Sequence, residues 1–441
     1  MKKISFGVLL FFFTICQVNA QQPNSALNSV QHYVSVENPK AFDSSYNDLH
    51  FITGNNLHYL YPAYQLMGQK EKFIRTFSYP LYYDLLSQTA SFLGDYSAAL
   101  DYQHRSDTIP PTDVELRQIA KSIQQLKNIK HVDARRYINF VSSQYRVIML
   151  NEAYNKPLHR AFALTMLDDL YNRGFRYLAM EMLNPMTDQE LTKVTYKTGH
   201  FATEPVAGEM IRHALDLGYK LVAYEDPYAD RHSATERDSI EAVNLAKILK
   251  ADPDAKMLVY AGYGRIAKKA SSPDYTPMGV AFKRISGIDA LSIDQTDMTE
   301  ESNFPFGKAF YDAYMEKFPV TSPSIALDND KAVNVTGTEL YDLAIIHPKT
   351  IYMDARPTWL GFANRRRPTY IKTTNRDIFL VQAYYQYESK GMRPGEVVPA
   401  DQSYFSTGKG YYTLYLRRGL YILIFKDLGY KTLYTQHLEV N

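Results

Sequence analysis

The sequence predicts an α/β protein. Its central, mainly parallel sheet is flanked by helices, preceded by an α-helical region and followed by a small β-sandwich-like domain. Three observations indicate this order. Apolar side chains recur at helical spacing in residues 51–130. Strand and helix patterns then alternate, which is typical of βαβ units. Residues 369–441 alternate β-branched and aromatic residues between glycine turns.

Four segments follow from these patterns: a signal peptide (1–20), a helical N-terminal region (21–130), an α/β domain (131–365) and a C-terminal β domain (366–441). The chain of 441 residues is long enough for several domains. Its net charge of +2 gives no indication of a nucleic-acid partner. We expect no nucleic-acid partner, a small-molecule ligand or substrate, and protein contacts through the helical and C-terminal β regions.

The first 20 residues resemble an export signal. Lysines at positions 2 and 3 precede an apolar stretch, Phe6 to Cys16, and small residues lead to a cleavage site after Ala20. The stretch is too short to span a bilayer, and no other segment is apolar enough. We predict an exported protein that is periplasmic, envelope-associated or secreted. A lipid anchor on Cys16, the only cysteine, is the alternative.

Individual elements can be predicted along the chain. In the helical region, Thr112 and Glu115 form a capping-box pattern, and "FLGDYSAALDY" (Phe92–Tyr102) is typical of a helical hairpin. In the C-terminal region we expect five to seven strands. The predicted α/β elements are strands 145–151, 176–181, 220–225, 256–261, 289–294 and 341–347, with helices 158–172, 204–217 and 236–250.

Two stretches of the α/β domain repeat one pattern, "RGFRYLAME" (173–181) and "LGYKLVAYE" (217–225). Each has a glycine that ends a helix, then a strand, then a glutamate. Glu181 and Glu225 therefore follow their strands as Glu152 follows "VIML". Because ligands bind at the carboxyl ends of parallel strands, these three glutamates predict a site there.

Three neighbouring carboxylates repel one another unless cations neutralise them, a metal binds them, or raised pKa values make them acids and bases. Arg237 begins the helix after Glu225, while His159 and Arg160 begin the helix after Glu152. We take Glu152, Glu181, Glu225 and Arg237 as candidate catalytic residues. The alternative is that single glutamates only pair with nearby basic residues.

Six stretches taken together resemble the erythromycin esterase/ChaN-like superfamily, which is more distantly related to the Tiki/TraB proteins: "RVIMLNEAYNKPLHRAF", "FRYLAMEML", "GYKLVAYED", "ERDSIEAVNLAKIL", "MLVYAGYGRI" and "GIDALSIDQT". They cover about residues 131–300, and residues 344–360 extend the match. The resemblance implies an α/β fold with its site at the strand ends. It also implies either a hydrolase of esters or peptides, or a haem- or iron-binding periplasmic protein.

The family's first motif is a strand that ends in Glu-x-His. Glu152 matches its glutamate, but Tyr154 stands at the histidine position. Glu181 and Arg237 match the second glutamate and the helix arginine. The tyrosine at position 154 weakens the prediction of catalysis, because histidine is the usual general base near neutral pH.

The family often has histidines near the end of a later strand. Tyr260 and Arg265 occupy those positions in this sequence, whereas His159 is retained. His347 ends a predicted strand and is a further binding candidate. The resemblance implies that Tyr154, Tyr260 and His159 are the candidate haem ligands. A divalent metal is the other possible cofactor.

Three hypotheses remain open. The protein is a hydrolase that uses its carboxylates as acids and bases, a protein that binds haem or another small ligand, or an inactive scaffold. The scaffold hypothesis predicts strand ends filled by salt bridges such as Glu152–Arg265. The absence of a Gly-x-Ser-x-Gly motif argues against a serine hydrolase.

Overall fold

The computed structural model describes residues 27–37, 52–53, 56–107, 109–186, 191–270, 272–302, 307–404 and 410–441. The predicted signal peptide and its cleavage site lie outside these residues. Among the described residues, none of the helices has the length and hydropathy needed to span a bilayer.

The N-terminal region is helical, as predicted. Its elements are α1 (Leu27–Glu37), β1 (Ile52–Thr53), β2 (Asn56–Leu57), α2 (Tyr61–Gly68), α3 (Lys70–Thr76), α4 (Tyr79–Leu93), α5 (Tyr96–Ser106) and α6 (Asp113–Gln125). The predicted hairpin is formed by α4 and α5, where Gly94 takes the left-handed φ of 83° that ends α4. Thr112 and Glu115 form the predicted capping box of α6.

The alternation predicted for the central region is confirmed. Its elements are β3 (Ile129–Asp133), α7 (Ala134–Val141), β4 (Val147–Glu152), α8 (Pro157–Asn172), β5 (Phe175–Met180), α9 (Pro205–Leu217), β6 (Lys220–Val222), α10 (Ala234–Ala251), β7 (Lys256–Gly262), α11 (Met278–Ser286), β8 (Leu291–Asp294), α12 (Gly307–Lys317), β9 (Ser324–Asp328), β10 (Lys331–Ala332), β11 (Leu343–Ile346), β12 (Tyr352–Met353) and β13 (Arg356–Pro357). Each predicted strand and helix of this region has its counterpart in that order.

Within the described residues, nine of these strands form one sheet in the order β10-β9-β11-β8-β4-β7-β5-β6, and β3 also pairs with β9. The pairs from β11 to β6 are parallel, whereas β3, β10 and β11 pair with β9 in the antiparallel sense. Ile148 and Leu150 belong to the core beneath α8 and α9, whereas Val147 and Met149 belong to the core beneath α10 and α11. Helices therefore cover both faces, as a parallel sheet requires.

The repeated pattern places β5 beside β6, with Tyr177 opposite Lys220 and Ala179 opposite Val222. The pairing is shifted by one residue from the sequence match, which would align Tyr177 with Leu221. Because β6 ends at Val222, Glu225 lies in the loop beyond it, so the predicted strand 220–225 is too long. β6 is short because its neighbour β5 ends at Met180. A strand has no ladder hydrogen bonds to make beyond the end of its neighbour.

The C-terminal region contains six described strands and a short helix: β14 (Arg367–Lys372), β15 (Leu380–Tyr385), α13 (Gln386–Ser389), β16 (Asp401–Ser403), β17 (Tyr411–Leu416), β18 (Gly419–Lys426) and β19 (Thr432–Val440). They form two antiparallel sheets, β14-β17 and β16-β15-β18-β19. Ile371 and Leu414 of the smaller sheet share an apolar core with Val381 and Leu423 of the larger one. This arrangement agrees with the predicted small β domain.

Candidate functional site

Glu152 lies at the end of β4 in a buried ion pair. Arg160 donates from Nε to Glu152 Oε2 at 2.6 Å and from Nη2 to Oε1 at 3.1 Å, and the Tyr260 hydroxyl donates to Oε2 at 3.1 Å. Glu152 is 2% exposed and Arg160 0%. Burial raises the pKa of Glu152 above its ordinary value, and the Arg160 guanidinium opposes that rise. Glu152 is therefore held as a partner of Arg160, away from solvent.

Arg160 is shared with a second buried carboxylate that was not among the residues predicted from the sequence. Its Nη1 lies 3.2 Å from Glu204 Oε2. Glu204 also caps α9, because its carboxylate accepts the amide hydrogens of Val206 and Ala207 at 2.9 Å. The available signal was Pro205, because a proline at the first helical position marks a helix start and makes Glu204 the capping residue.

Glu181, just beyond β5, has three polar partners. The Tyr154 hydroxyl donates to Oε1 at 2.7 Å, the Gly262 amide donates to Oε2, and Arg265 Nη2 lies 3.4 Å from Oε1. The Tyr154 ring stacks on Phe201 with centroids 4.2 Å apart. Burial and the Glu181 charge raise the pKa of Tyr154 well above its usual value, so its hydroxyl remains a donor. Tyr154 thus orients Glu181 and cannot replace a histidine base.

Arg265 lies between Glu181 and two carboxylates of α10. Its Nη1 is 2.7 Å from both carboxylate oxygens of Glu241 and 3.6 Å from Asp238 Oδ1. Both of those side chains are fully buried. The prediction did not include Glu241, although it lies one helical turn after Arg237 in the stretch "ERDSIEAVNLAKIL".

Glu225 is the least constrained carboxylate of the group. It is half-buried, and it makes no hydrogen bond or ion pair with another described residue. Burial and repulsion from Glu181 raise its pKa to about 7, against the opposing charges of Arg265 and Arg237. The Arg237 Nε lies 3.8 Å from Glu241 Oε1 and has no hydrogen-bond partner among the described residues. These residues form one electrostatic cluster at the ends of β5, β6 and β7.

His159 and His347 lie elsewhere, next to each other and fully buried. Their ring centroids are 5.2 Å apart. The Ala153 amide donates to His159 Nδ1 at 3.0 Å, and His347 Nε2 lies 3.2 Å from Gln295 Oε1. Burial lowers the pKa of His159 well below its ordinary value and that of His347 to about 3. Both rings are therefore neutral near neutral pH.

The candidate haem ligands do not fit a haem in this arrangement. The hydroxyls of Tyr154 and Tyr260 donate to carboxylates. His159 Nε2 has no hydrogen-bond partner among the described residues, but the residue is 0% exposed, so a macrocycle cannot reach it in this arrangement. Among the described residues, no group of three or more His, Cys, Asp or Glu side chains is placed to hold a metal ion. Neither cofactor is therefore assigned to these side chains.

No known family model matches the sequence, and no curated protein matches it. Two solved structures, both described as bacterial protein toxins, resemble part of the fold. Each is 11% identical with a TM-score of 0.29, over 53% and 52% of this chain and 47% and 48% of theirs. The chain thus spans about half the length of each structure. The resemblance to the erythromycin esterase/ChaN-like superfamily stays a prediction.

Proposed function

We propose that the protein is an exported hydrolase of an ester, amide or lactone bond, with Glu225 as its general base. The main support is the contrast between Glu225 and the carboxylates around it. Glu152 and Glu181 are held by arginines, whereas Glu225 has no partner among the described residues and a pKa raised to about 7. A base with a pKa near the working pH is the most effective one. Carboxylates in contrasting environments are typical of acid/base sites.

In this proposal, Glu225 takes a proton from a water molecule as the oxygen of that water attacks the carbonyl carbon. The C–O or C–N bond then breaks, and the proton passes from Glu225 to the leaving group. Arg237, whose side chain is 30% exposed, stabilises the negative charge on the carbonyl oxygen. Arg265 and Tyr154 hold Glu181 in place, and Glu181 in turn keeps the pKa of Glu225 high.

The export part of the proposal rests on the first 20 residues, with their lysines, apolar stretch and small-residue cleavage site. Mass spectrometry of the protein from the cell envelope or medium tests it. Cleavage after Ala20 leaves a chain that begins at Gln21. A chain that retains its signal, or a lipid on Cys16, would contradict simple cleavage.

The catalytic proposal is tested by Glu225→Gln, with Asp230→Asn as the matched control. Asp230 is an exposed carboxylate on the same loop. Wild-type protein is first screened against small ester, amide and lactone substrates. On a substrate that is turned over, Glu225→Gln should reduce kcat by about 10²-fold or more, and Asp230→Asn should leave it unchanged. Full activity of a folded Glu225→Gln variant would overturn the proposal.

A non-catalytic scaffold is the second candidate, because arginines already neutralise two of the three strand-end glutamates. The pairs are Glu152–Arg160 and Glu181–Arg265, and not the Glu152–Arg265 pair that the scaffold hypothesis anticipated. This candidate predicts that the wild type turns over no member of the substrate panel. It also predicts that Glu225→Gln changes no property apart from stability.

A further inference from the structure

Lys156 is a buried cation without a carboxylate partner among the described residues. The residue is 5% exposed, and its Nζ donates to the backbone oxygen of Glu301. The Glu301 carboxylate is bound instead by Lys308 and His104. Lysines are almost never this deeply buried unless they are paired, because an ammonium loses its hydration on burial. Lys156 therefore requires an explanation beyond packing.

Lys156 lines a pocket whose other walls combine aromatic, aliphatic and polar side chains. Tyr96, Tyr352 and Trp359 contribute to these walls, and Glu300 supplies a carboxylate. The Tyr96 and Trp359 rings pack edge to face with centroids 4.8 Å apart. The pocket thus combines an amine, an acid and apolar surface.

The pocket lies where ligands bind in open parallel sheets. Part of its wall comes from residues 155–158, which follow β4, and from residues 299 and 300, which follow β8. β4 and β8 are neighbours in the sheet. Along the chain, β5, β6 and β7 follow β4 and lie on one side of it, and β8 then forms on the other side of β4. The strand order therefore reverses between β4 and β8, which is the topological switch point that ligands favour.

We propose that Lys156 is an amine nucleophile and that this pocket receives a small aldehyde or ketone. The Lys156 nitrogen attacks the carbonyl carbon and forms a carbinolamine. The carbinolamine then loses its oxygen as water. The Glu300 carboxylate accepts the remaining N–H proton and passes it to the departing hydroxyl, and an imine remains. One carbonyl compound and one amine thus give one imine and one water molecule. This site is independent of the acid/base site at Glu225.

The charges near Lys156 favour a neutral ligand. Burial lowers the pKa of Lys156 to about 8, and the carboxylates of Glu301, Glu300 and Asp84 only partly oppose this effect. About a tenth of the amine is therefore uncharged at pH 7, and this uncharged form is the nucleophile. The same three carboxylates would repel an anionic ligand. The other titratable neighbours are neutral in this pH range. Burial lowers the pKa values of His159 and His347, and it raises those of Tyr96 and Tyr352.

The test uses propanal as the carbonyl compound and cyanoborohydride to reduce the imine to a stable secondary amine. Peptide mass spectrometry follows labelling of Lys156 against two partly exposed lysines, Lys308 and Lys349. At about pH 7.5 we expect Lys156 to react about tenfold faster or more, with a midpoint near pH 8. Labelling of Lys156 that is no faster than that of the two reference lysines would overturn the proposal.

Trp359 supplies a second readout, because it is the only tryptophan of the chain. Propanal should change its emission in the wild type, whereas propan-1-ol should not. An equal response to both compounds would contradict a carbonyl-specific site. Lys156→Arg keeps the charge but removes the nucleophile, so it should lose the propanal response while its circular dichroism stays unchanged. Glu225→Gln should keep the response, which separates this test from that of the hydrolase.

Discussion

Arg160 and Glu152 form a two-point ion pair in the protein interior, with contacts of 2.6 and 3.1 Å, and neither residue is more than 2% exposed. The pair joins the end of β4 to the first turns of α8. Through Glu204, the same guanidinium also reaches the start of α9. Arg160 thus ties together three elements on one face of the sheet.

Replacing Arg160 should destabilise the folded protein. Arg160→Met leaves Glu152 and Glu204 buried without their cation, and breaking a buried pair typically costs about 3–5 kcal/mol. The free energy of unfolding, measured by urea titration, should decrease by about that amount.

The matched control is Arg393→Ala. Arg393 pairs with Glu396 at 3.0 Å, but its side chain is 68% exposed. Surface pairs contribute about 0–1 kcal/mol, so this variant should remain close to wild type. Equal effects of the two substitutions would show that burial does not govern the Arg160 pair.

Gly262 is required for the close approach of Tyr154. A Cβ at position 262 would lie 2.1 Å from the Tyr154 hydroxyl oxygen, whereas a Cβ at position 264 would meet nothing nearer than 3.8 Å. Gly262→Ala should displace the tyrosine from Glu181 and destabilise the fold by about 1–3 kcal/mol. Gly264→Ala should be nearly neutral in the same thermal or urea unfolding assay. A neutral Gly262→Ala would argue against a fixed Tyr154–Glu181 contact.

The pH dependence of hydrolysis should report Glu225. Its pKa is raised from 4.5 to about 7, so below that pH the base carries a proton and is inactive. We therefore expect kcat/KM to rise with pH through about 7. Neutralising the arginine that opposes this shift, in Arg237→Gln, should move the midpoint to higher pH. A midpoint near 4.5 would show that Glu225 is not the titrating base.

Acid should destabilise the fold through His347. The unfolded histidine binds a proton below its ordinary pKa of 6.5, whereas the folded one stays neutral down to about 3. The unfolded state therefore binds more protons between these values, and stability is lost as the pH decreases through that window. One such residue changes the unfolding free energy by up to about 1.4 kcal/mol per pH unit.

Urea titrations at several pH values test this expectation. His347→Gln should flatten the dependence between pH 6.5 and about 3. The exposed His437 offers the control, because His437→Gln should leave the slope unchanged. The same slope in both variants would place the acid sensitivity elsewhere.

The order of helices and strands could be predicted because it depends on local patterns. The continuous apolar run of β4 and the glycines that end α8 and α9 are readable along the chain. The position of Glu152 and Glu181 at the same end of the sheet could also be predicted, because parallel strands share their direction. The prediction was wrong about the length of β6, because a strand ends where its partner ends, which no local pattern shows.

The sequence by itself determined the α/β alternation, the helical and β regions around it, and the candidate carboxylates. Only the tertiary structure decided that Arg160 pairs with Glu152, and that Arg265 pairs with Glu181 and Glu241. It also decided that Glu225 has no partner among the described residues. The physical reason is that hydrogen bonds are made across a few ångströms of space between elements distant in sequence. Burial, which sets the pKa of each group, depends on the packing of the whole fold.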